Sequence, residues 1–168
     1  MTLFERFKNY KEKLADVGIE NAETEARRIM AEVLGLRRED FILQKDRVIT
    51  SEEIIRLDQV VAARCGGKPL SKIFGTNEFW GLPFYVSADT LDPRMDSETL
   101  IDAVLKYFPD RNKPYRILDV GTGTGCLAIA LLSEYKNATA TAVEFSAQAA
   151  EIAEKNAHLN QVSTRMQV

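Results

Sequence analysis

The chain is poor in the residues on which much enzyme chemistry is built. It has one histidine, His158, so Ser-His-Asp and Cys-His catalysis have little material. Its two cysteines, Cys65 and Cys126, are far apart and form no CxxC pair. That argues against a disulfide framework or a zinc site and for a reducing, cytoplasmic setting. No apolar run approaches the roughly 18 residues of a membrane span. The charged start MTLFERFKNYKEK has no apolar core of a secretory signal. Glycine and proline are sparse, at 9 and 5 of 168 residues, which excludes collagen-like and low-complexity chains. An excess of positive charge is missing too: 22 basic against 25 acidic residues give a net charge of −3, without the bulk attraction of a dedicated nucleic-acid binder.

What is present is ordered in two parts. Residues 1–75 carry 14 basic and 13 acidic side chains; residues 76–168 carry 8 and 12. The first part predicts helices. Leu3, Phe4, Phe7, Tyr10, Lys11 and Leu14 recur at helical spacing and close near Gly18. Ala22 to Leu34 follows, with Ala26, Ile29, Met30, Val33 and Leu34 on one stripe and Gly35 as a stop. A short helix is expected over Arg38 to Gln44. Thr50 precedes Ser51, Glu52 and Glu53 as an N-cap with acidic residues in the first turn, and Ile54, Ile55, Leu57, Val60, Val61 and Ala63 continue that helix to Gly66.

Lys68-Pro69 predicts a break. Thr76 to Phe79 and Pro83 to Val86 then predict a hairpin turning at Trp80-Gly81-Leu82. Ser97 to Phe108 reads as a helix with Leu100, Ile101, Val104, Leu105 and Phe108 inward. After the Pro109 to Pro114 loop the pattern alternates: strand Tyr115 to Val120, helix Thr124 to Tyr135, strand Thr139 to Glu144, helix Ala147 to Leu159, strand Thr164 to Val168. That alternation predicts a parallel sheet.

The sharpest signal is Asp119-Val120-Gly121-Thr122-Gly123-Thr124-Gly125-Cys126, between an apolar strand and an apolar helix. Glycines let a ligand approach the backbone, and the helix start offers unpaired N–H groups. A dinucleotide loop reads GxGxxG; here the third glycine comes one residue early. Asp119 would repel a pyrophosphate and suits an ammonium group. Glu144, 25 residues on, sits where a carboxylate accepts both ribose hydroxyls. Ammonium plus ribose without pyrophosphate describes S-adenosylmethionine. A nicotinamide dinucleotide and a ligand-free tight turn are the alternatives. Cys126 reads as a small buried apolar residue, and Phe79 and Trp80 as packing or as walls of the site.

ILDVGTGTGCLAIALL and TAVEFSAQAAEIAEKNAHLN resemble motifs I and II of class I methyltransferases. KPLSKIFGTNEFWGLPFYVSADTLDPRMDSETLIDAVL resembles the pre-sheet segment of the HemK/PrmC family, protein-(glutamine-N5) methyltransferases of peptide chain release factors. The resemblance runs over nearly the whole chain. It implies an α/β Rossmann-like methyltransferase fold, truncated after about three strands and preceded by an α-helical bundle and a β-hairpin. The implied domains are a substrate-docking bundle over 1–70, a linker and hairpin over 71–95, and the start of the S-adenosylmethionine-binding domain over 96–168. Gly121, Thr122, Gly123, Thr124 and Gly125 would line the cofactor's methionine part, Asp119 would hold its amino group and Glu144 its ribose. Family members more often carry Asp at the Glu144 position. Pro93 to Thr99 matches the family's PRPxTE segment with Met95 and Ser97 as departures; Arg94 and Glu98 are retained.

The resemblance also implies a release factor as protein partner, with no membrane and no direct nucleic-acid contact. The family grips the substrate amide with an Asn-Pro-Pro-Tyr motif after the fourth strand. No such run occurs in this sequence. The catalytic residues are therefore unassigned and expected beyond Val168, no metal ligands are expected, and the 168 residues are expected to be a truncated piece, inactive alone. A nucleic-acid amino-methyltransferase and an NAD(P)-binding enzyme are the competing functions.

Overall fold

The computed structural model describes residues 1–37 and 39–168. The chain divides into two compact units, Met1–Phe74 and Gly75–Val168.

The first unit is helical. Its α1 (Leu3–Asp16) and α4 (Ser51–Cys65) both start on capping boxes: the Thr2 and Thr50 hydroxyls accept from the Glu5 and Glu53 amides, and those glutamates accept back from the threonine amides. Between them lie α2 (Ala22–Leu34), ended by Gly35 in the left-handed region, and the single turn α3 (Asp40–Leu43). The helix expected over Arg38 to Gln44 is thus shorter than its pattern, and its first residue, Arg38, lies outside the described residues. Leu3, Phe7, Tyr10 and Leu14 bury against Ala26, Ile29, Met30, Leu57 and Val61. Phe4, Lys11 and Ile55 are exposed instead; Lys11 pairs with Glu23 at 2.7 Å. Arg64 grips Glu25 with two bonds of 2.6 and 3.1 Å, joining α4 to α2. Tyr10 donates to Asp58 at 2.8 Å, and burial pushes its phenol pKa up.

A helix that the sequence pattern misses, α5 (Leu70–Phe74), closes this unit. Pro69 opens it rather than breaking the chain: its carbonyl accepts from the Lys72 and Ile73 amides. Proline is at home where a helix begins, because its missing N–H would be unpaired there anyway.

The second unit opens with the antiparallel hairpin β1 (Thr76–Phe79) and β2 (Leu82–Tyr85). Phe79 pairs with Leu82, so the turn is the two residues Trp80-Gly81, not three, and the second strand starts at Leu82 rather than Pro83. Trp80 at φ 54° and Gly81 at φ 67° give the left-handed pair whose twist matches the strands. After a single 3-10 turn at Met95–Ser97 comes α6 (Glu98–Tyr107). Only Ile101 of its expected inner face is fully buried; Leu100 and Phe108 are exposed.

The sheet is parallel, in the order β3 (Arg116–Val120), β4 (Thr139–Val143), β5 (Met166–Gln167). Helices α7 (Cys126–Glu134) and α8 (Ala147–Leu159) connect the strands. α7 is apolar nearly all round and accordingly buried, with Ala128 to Leu132 in the core beside Phe79, Phe84, Ala140, Ala142 and Ala153. Arg165 closes the end of α7 and the loop after it, donating to the Leu132, Tyr135 and Ala138 oxygens at 2.8, 2.9 and 3.1 Å. Leu118, Val120 and Val143, on the other face of the sheet, are exposed.

Candidate functional site

The site forms where β3 and β4 end and α7 begins. Gly121, Gly123 and Gly125 all have positive φ, at 79°, 56° and 80°. The reasons they must be glycine differ. A Cβ on Gly121 or Gly123 would meet nothing within 4 Å; one on Gly125 would lie 3.0 Å from Ile129 Cδ1, 3.3 Å from Met166 Cε and 3.4 Å from Ala153 Cβ. Gly125 is the packed base of the turn, and the other two are its open rim.

Polar ties hold the rim. The Gly121 and Thr122 amides donate to the Val143 carbonyl at 2.8 and 3.1 Å, and Gly125 N–H donates to the Thr122 carbonyl at 2.8 Å. The Thr122 hydroxyl donates to Asp119 Oδ2 at 2.7 Å, which orients that carboxylate. Glu144 reaches back from the end of β4: its Oε2 accepts from Gly123 N–H at 2.8 Å, and its Oε1 accepts from the Phe145 and Ser146 amides at 2.9 and 3.1 Å. These amides, Ser146 and Gly123 foremost, hold its carboxyl below the usual glutamate range.

Asp119, Gly121, Thr122, Gly123 and Thr124 line one cavity of about 160 Å³ with Cys126 and Leu127. Its remaining wall comes from the segment before α6, with Asp92, Pro93, Arg94 and Ser97. Gly125 and Glu144 are not among its lining residues. Burial pushes the Cys126 thiol pKa up, and Asp119 adds to that; the residue is half-buried, at the edge of the core and in the cavity wall, rather than buried as expected. His158 is exposed on the last turn of α8. Among the described residues no cluster of His, Cys, Asp and Glu could hold a metal ion, and no helix is long and apolar enough to cross a membrane.

Neither Phe79 nor Trp80 lines this cavity. Phe79 is buried in the core of the second unit, edge-on to Phe84 at 6.3 Å. Trp80 is tied by its backbone N–H to Glu98 Oε1 at 2.7 Å and by its indole N–H to Glu134 Oε1 at 2.8 Å. Glu98 therefore anchors the hairpin turn. Sequence reasoning also missed Asn156 on α8, which is fully buried and bonded to Tyr85 and Thr124. An Asn amid Glu154, Lys155 and His158 carries no periodic signal that separates it from a solvated helix face.

A parallel sheet with a glycine turn after its first strand, one carboxylate near the end of β3 and one just past β4, defines a Rossmann-like α/β unit. The comparisons with known proteins sharpen that class. Residues 5–75 match the model of the PrmC N-terminal domain, and residues 78–168 match that of the methyltransferase small domain. The chain belongs to the methyltransferase small domain family, here with a PrmC-type helical domain ahead of it, and its fold is that of a Rossmann-like methyltransferase.

Among its relatives is the release factor glutamine methyltransferase of Agrobacterium fabrum, 36% identical over 94% of this chain and 55% of that protein. The proteins of the same name from Bradyrhizobium diazoefficiens and Nitratidesulfovibrio vulgaris are each 38% identical, over 86% and 88% of this chain and 50% and 51% of their own length. The chain spans about half the length of the curated relatives it matches.

Proposed function

We propose that this chain is part of an S-adenosylmethionine-dependent methyltransferase that modifies the side-chain amide nitrogen of a glutamine in peptide chain release factors, in the cytoplasm. One observation carries the reading: a small cavity that sets a carboxylate, Asp119, beside an open glycine rim, with a cation, Arg94, in its other wall. That donor set fits the ammonium and carboxylate of a methionine moiety, and Asp119 would repel a dinucleotide's pyrophosphate. The names of the relatives supply the substrate class.

Bound there, S-adenosylmethionine supplies an activated methyl group. The residues of this chain bind and orient it. Asp119, its Oδ2 held by Thr122, offers Oδ1 to the ammonium. Gly121 and Gly123 admit the methionine part close to the backbone, where no Cβ stands in the way, and Thr122 and Thr124 line it on either side. Glu144 takes the ribose hydroxyls. Gly125 forms the base of the turn that carries these groups. Proximity and orientation are what a protein must add when the donor is already activated.

In the same reading the helical residues 1–70 dock the release factor, residues 71–95 carry the hairpin, and residues 96–168 hold the first part of the cofactor domain. The groups that act on the amide are not among these residues, because the sequence contains no Asn-Pro-Pro-Tyr run. The test is incubation of the 168-residue chain with a release factor and methyl-labelled S-adenosylmethionine. The expected result is retention of the labelled cofactor and of the release factor, with no label transferred. Label transferred to the release factor would overturn the expected inactivity of these residues alone, and, in parallel incubations with nucleic acid or NAD, label in the nucleic acid or retention of NAD in place of the labelled cofactor would contradict the reading.

A further inference from the structure

The glycine rim has little packing to hold its shape, since the space beside Gly121 and Gly123 is open. Its conformation rests on polar ties. One of them, from Gly123 to Glu144, involves a carboxylate that the proposed ribose must share. A second side-chain tie comes from Asn156, which does not line the cavity.

Asn156 sits on α8 with no exposed surface. Its Oδ1 accepts from Tyr85 N–H at 2.7 Å, and its Nδ2 donates to the Tyr85 carbonyl at 3.0 Å and to the Thr124 carbonyl at 2.9 Å. Both amide hydrogens are used. A flipped carboxamide would face oxygen to two carbonyls and NH2 to an N–H, so only one orientation satisfies the site. The Thr124–Gly125 peptide is thereby pinned at both ends: its carbonyl by Asn156 and its N–H by the Thr122 carbonyl. Thr122 in turn orients Asp119.

The same hairpin reaches the opposite wall of the cavity, where Asn77 Nδ2 donates to the Pro93 carbonyl at 3.3 Å. Hairpin, glycine turn and Pro93 segment are thus linked through two asparagines. We propose that Asn156 is the positioning residue of the cofactor cavity: one buried carboxamide that docks β2 against the glycine turn and so sets its two walls relative to each other. The inference rests on the cofactor reading above and adds a residue and a mechanical role to it.

Asn160, one helical turn on, is the internal control. Its Nδ2 donates to the Pro83 carbonyl at 2.9 Å, on the same strand edge, and to the Asn156 carbonyl at 3.0 Å, and neither bond reaches the turn. Amide hydrogen exchange on the cofactor-free chain compares wild type, Asn156→Asp and Asn160→Ala. Asn156→Asp keeps the shape but turns the donor end into an acceptor facing two carbonyls. It should speed exchange at Gly123 and Gly125, relative to the β4 amides, by at least about tenfold, the scale of one buried acceptor losing its donor. Asn160→Ala should leave those rates within about twofold, as for a change away from the turn. Unchanged rates in Asn156→Asp, or equal loosening by both variants, overturn the proposal.

A measurement on wild type covers the case of an Asn156→Asp protein that does not fold. Titration with S-adenosylmethionine, followed by NMR, should move the Asn156 side-chain amide signals together with the Gly121 to Thr124 amides. Turn amides that move while Asn156 stays still overturn the positioning role. Turn amides that do not move at all overturn the cofactor reading, and the positioning role falls with it.

Discussion

The two units are held together by different kinds of interaction. In residues 1–74, α1 and α4 begin on local caps, the helices bury regular stripes, and side-chain pairs such as Arg64–Glu25 and Tyr10–Asp58 join one helix to another. In residues 75–168, the decisive polar contacts span long stretches of chain: Asn156 to Tyr85, Trp80 to Glu134, Arg165 to the end of α7. The first and last of these satisfy backbone groups that regular secondary structure leaves over, at a hairpin edge and a helix terminus, and the Trp80 backbone N–H at the strained turn is met by Glu98. The second unit depends on buried side-chain polarity at Asn156, because a glycine turn and a tight hairpin both expose backbone that helices and sheets would otherwise pair.

The contrast predicts where substitutions hurt. In the bundle, the largest loss should come from apolar truncation: Leu57→Ala, in a fully buried position, is expected to cost about 2–5 kcal/mol in urea unfolding. A loss below about 1 kcal/mol there would break the contrast. In the sheet unit, backbone strain and crowding should combine at one glycine. Gly125→Ala meets a positive φ, about 1–2 kcal/mol, and three side chains within 3.4 Å, about 1–3 more. Gly121→Ala meets the positive φ alone and should cost about 1–2 kcal/mol. Equal costs at the two glycines would show that packing under the turn is not what separates them.

Smaller effects sharpen the same comparison. Thr50→Ala removes a cap at the start of α4 and should cost about 1 kcal/mol. The Glu144 tie should respond to pH. Its folded carboxyl lies below the usual range, so its contribution is complete above the ordinary value near about 4.3 and is lost as pH falls through the depressed folded value. The Gly123 amide signal should therefore titrate with a midpoint below about 4.3, and a midpoint at or above it would contradict the tie. Solvent screening keeps the associated change in stability small.

Much of this was legible from the sequence, and the exceptions share a cause. Helices α1, α2, α4, α6 and α8 and strands β3 and β4 lie where periodicity puts them, and the glycine turn lies where its spacing does; α7 begins at Cys126 rather than Thr124 because the turn runs through Gly125, and β5 takes only Met166–Gln167 of the strand expected over Thr164 to Val168 because Ser163–Arg165 form a 3-10 turn. The errors fall where one residue type serves two purposes. Pro69 reads as a break but starts a helix. Leu82 reads as turn but is strand, because Trp80 accepts a left-handed conformation uncommon for a bulky residue. Leu100 and Phe108 read as core but are exposed on α6. At the site, Asp119 and Gly121 to Thr124 do share one cavity, while Arg94 and Glu98, quoted together from one segment, have separate places: Arg94 in the cavity wall and Glu98 under the hairpin turn. Asn156 was invisible because burial of a polar side chain depends on partners 32 and 71 residues away.

The most direct test of the account is calorimetric titration of the chain with S-adenosylmethionine and with NAD, in wild type and in Asp119→Asn. The account predicts heat of binding for S-adenosylmethionine only, and affinity reduced by about tenfold in the variant, the scale of one charge-assisted bond. Binding of NAD in preference, or an Asp119→Asn protein that binds S-adenosylmethionine as tightly as wild type, would contradict it.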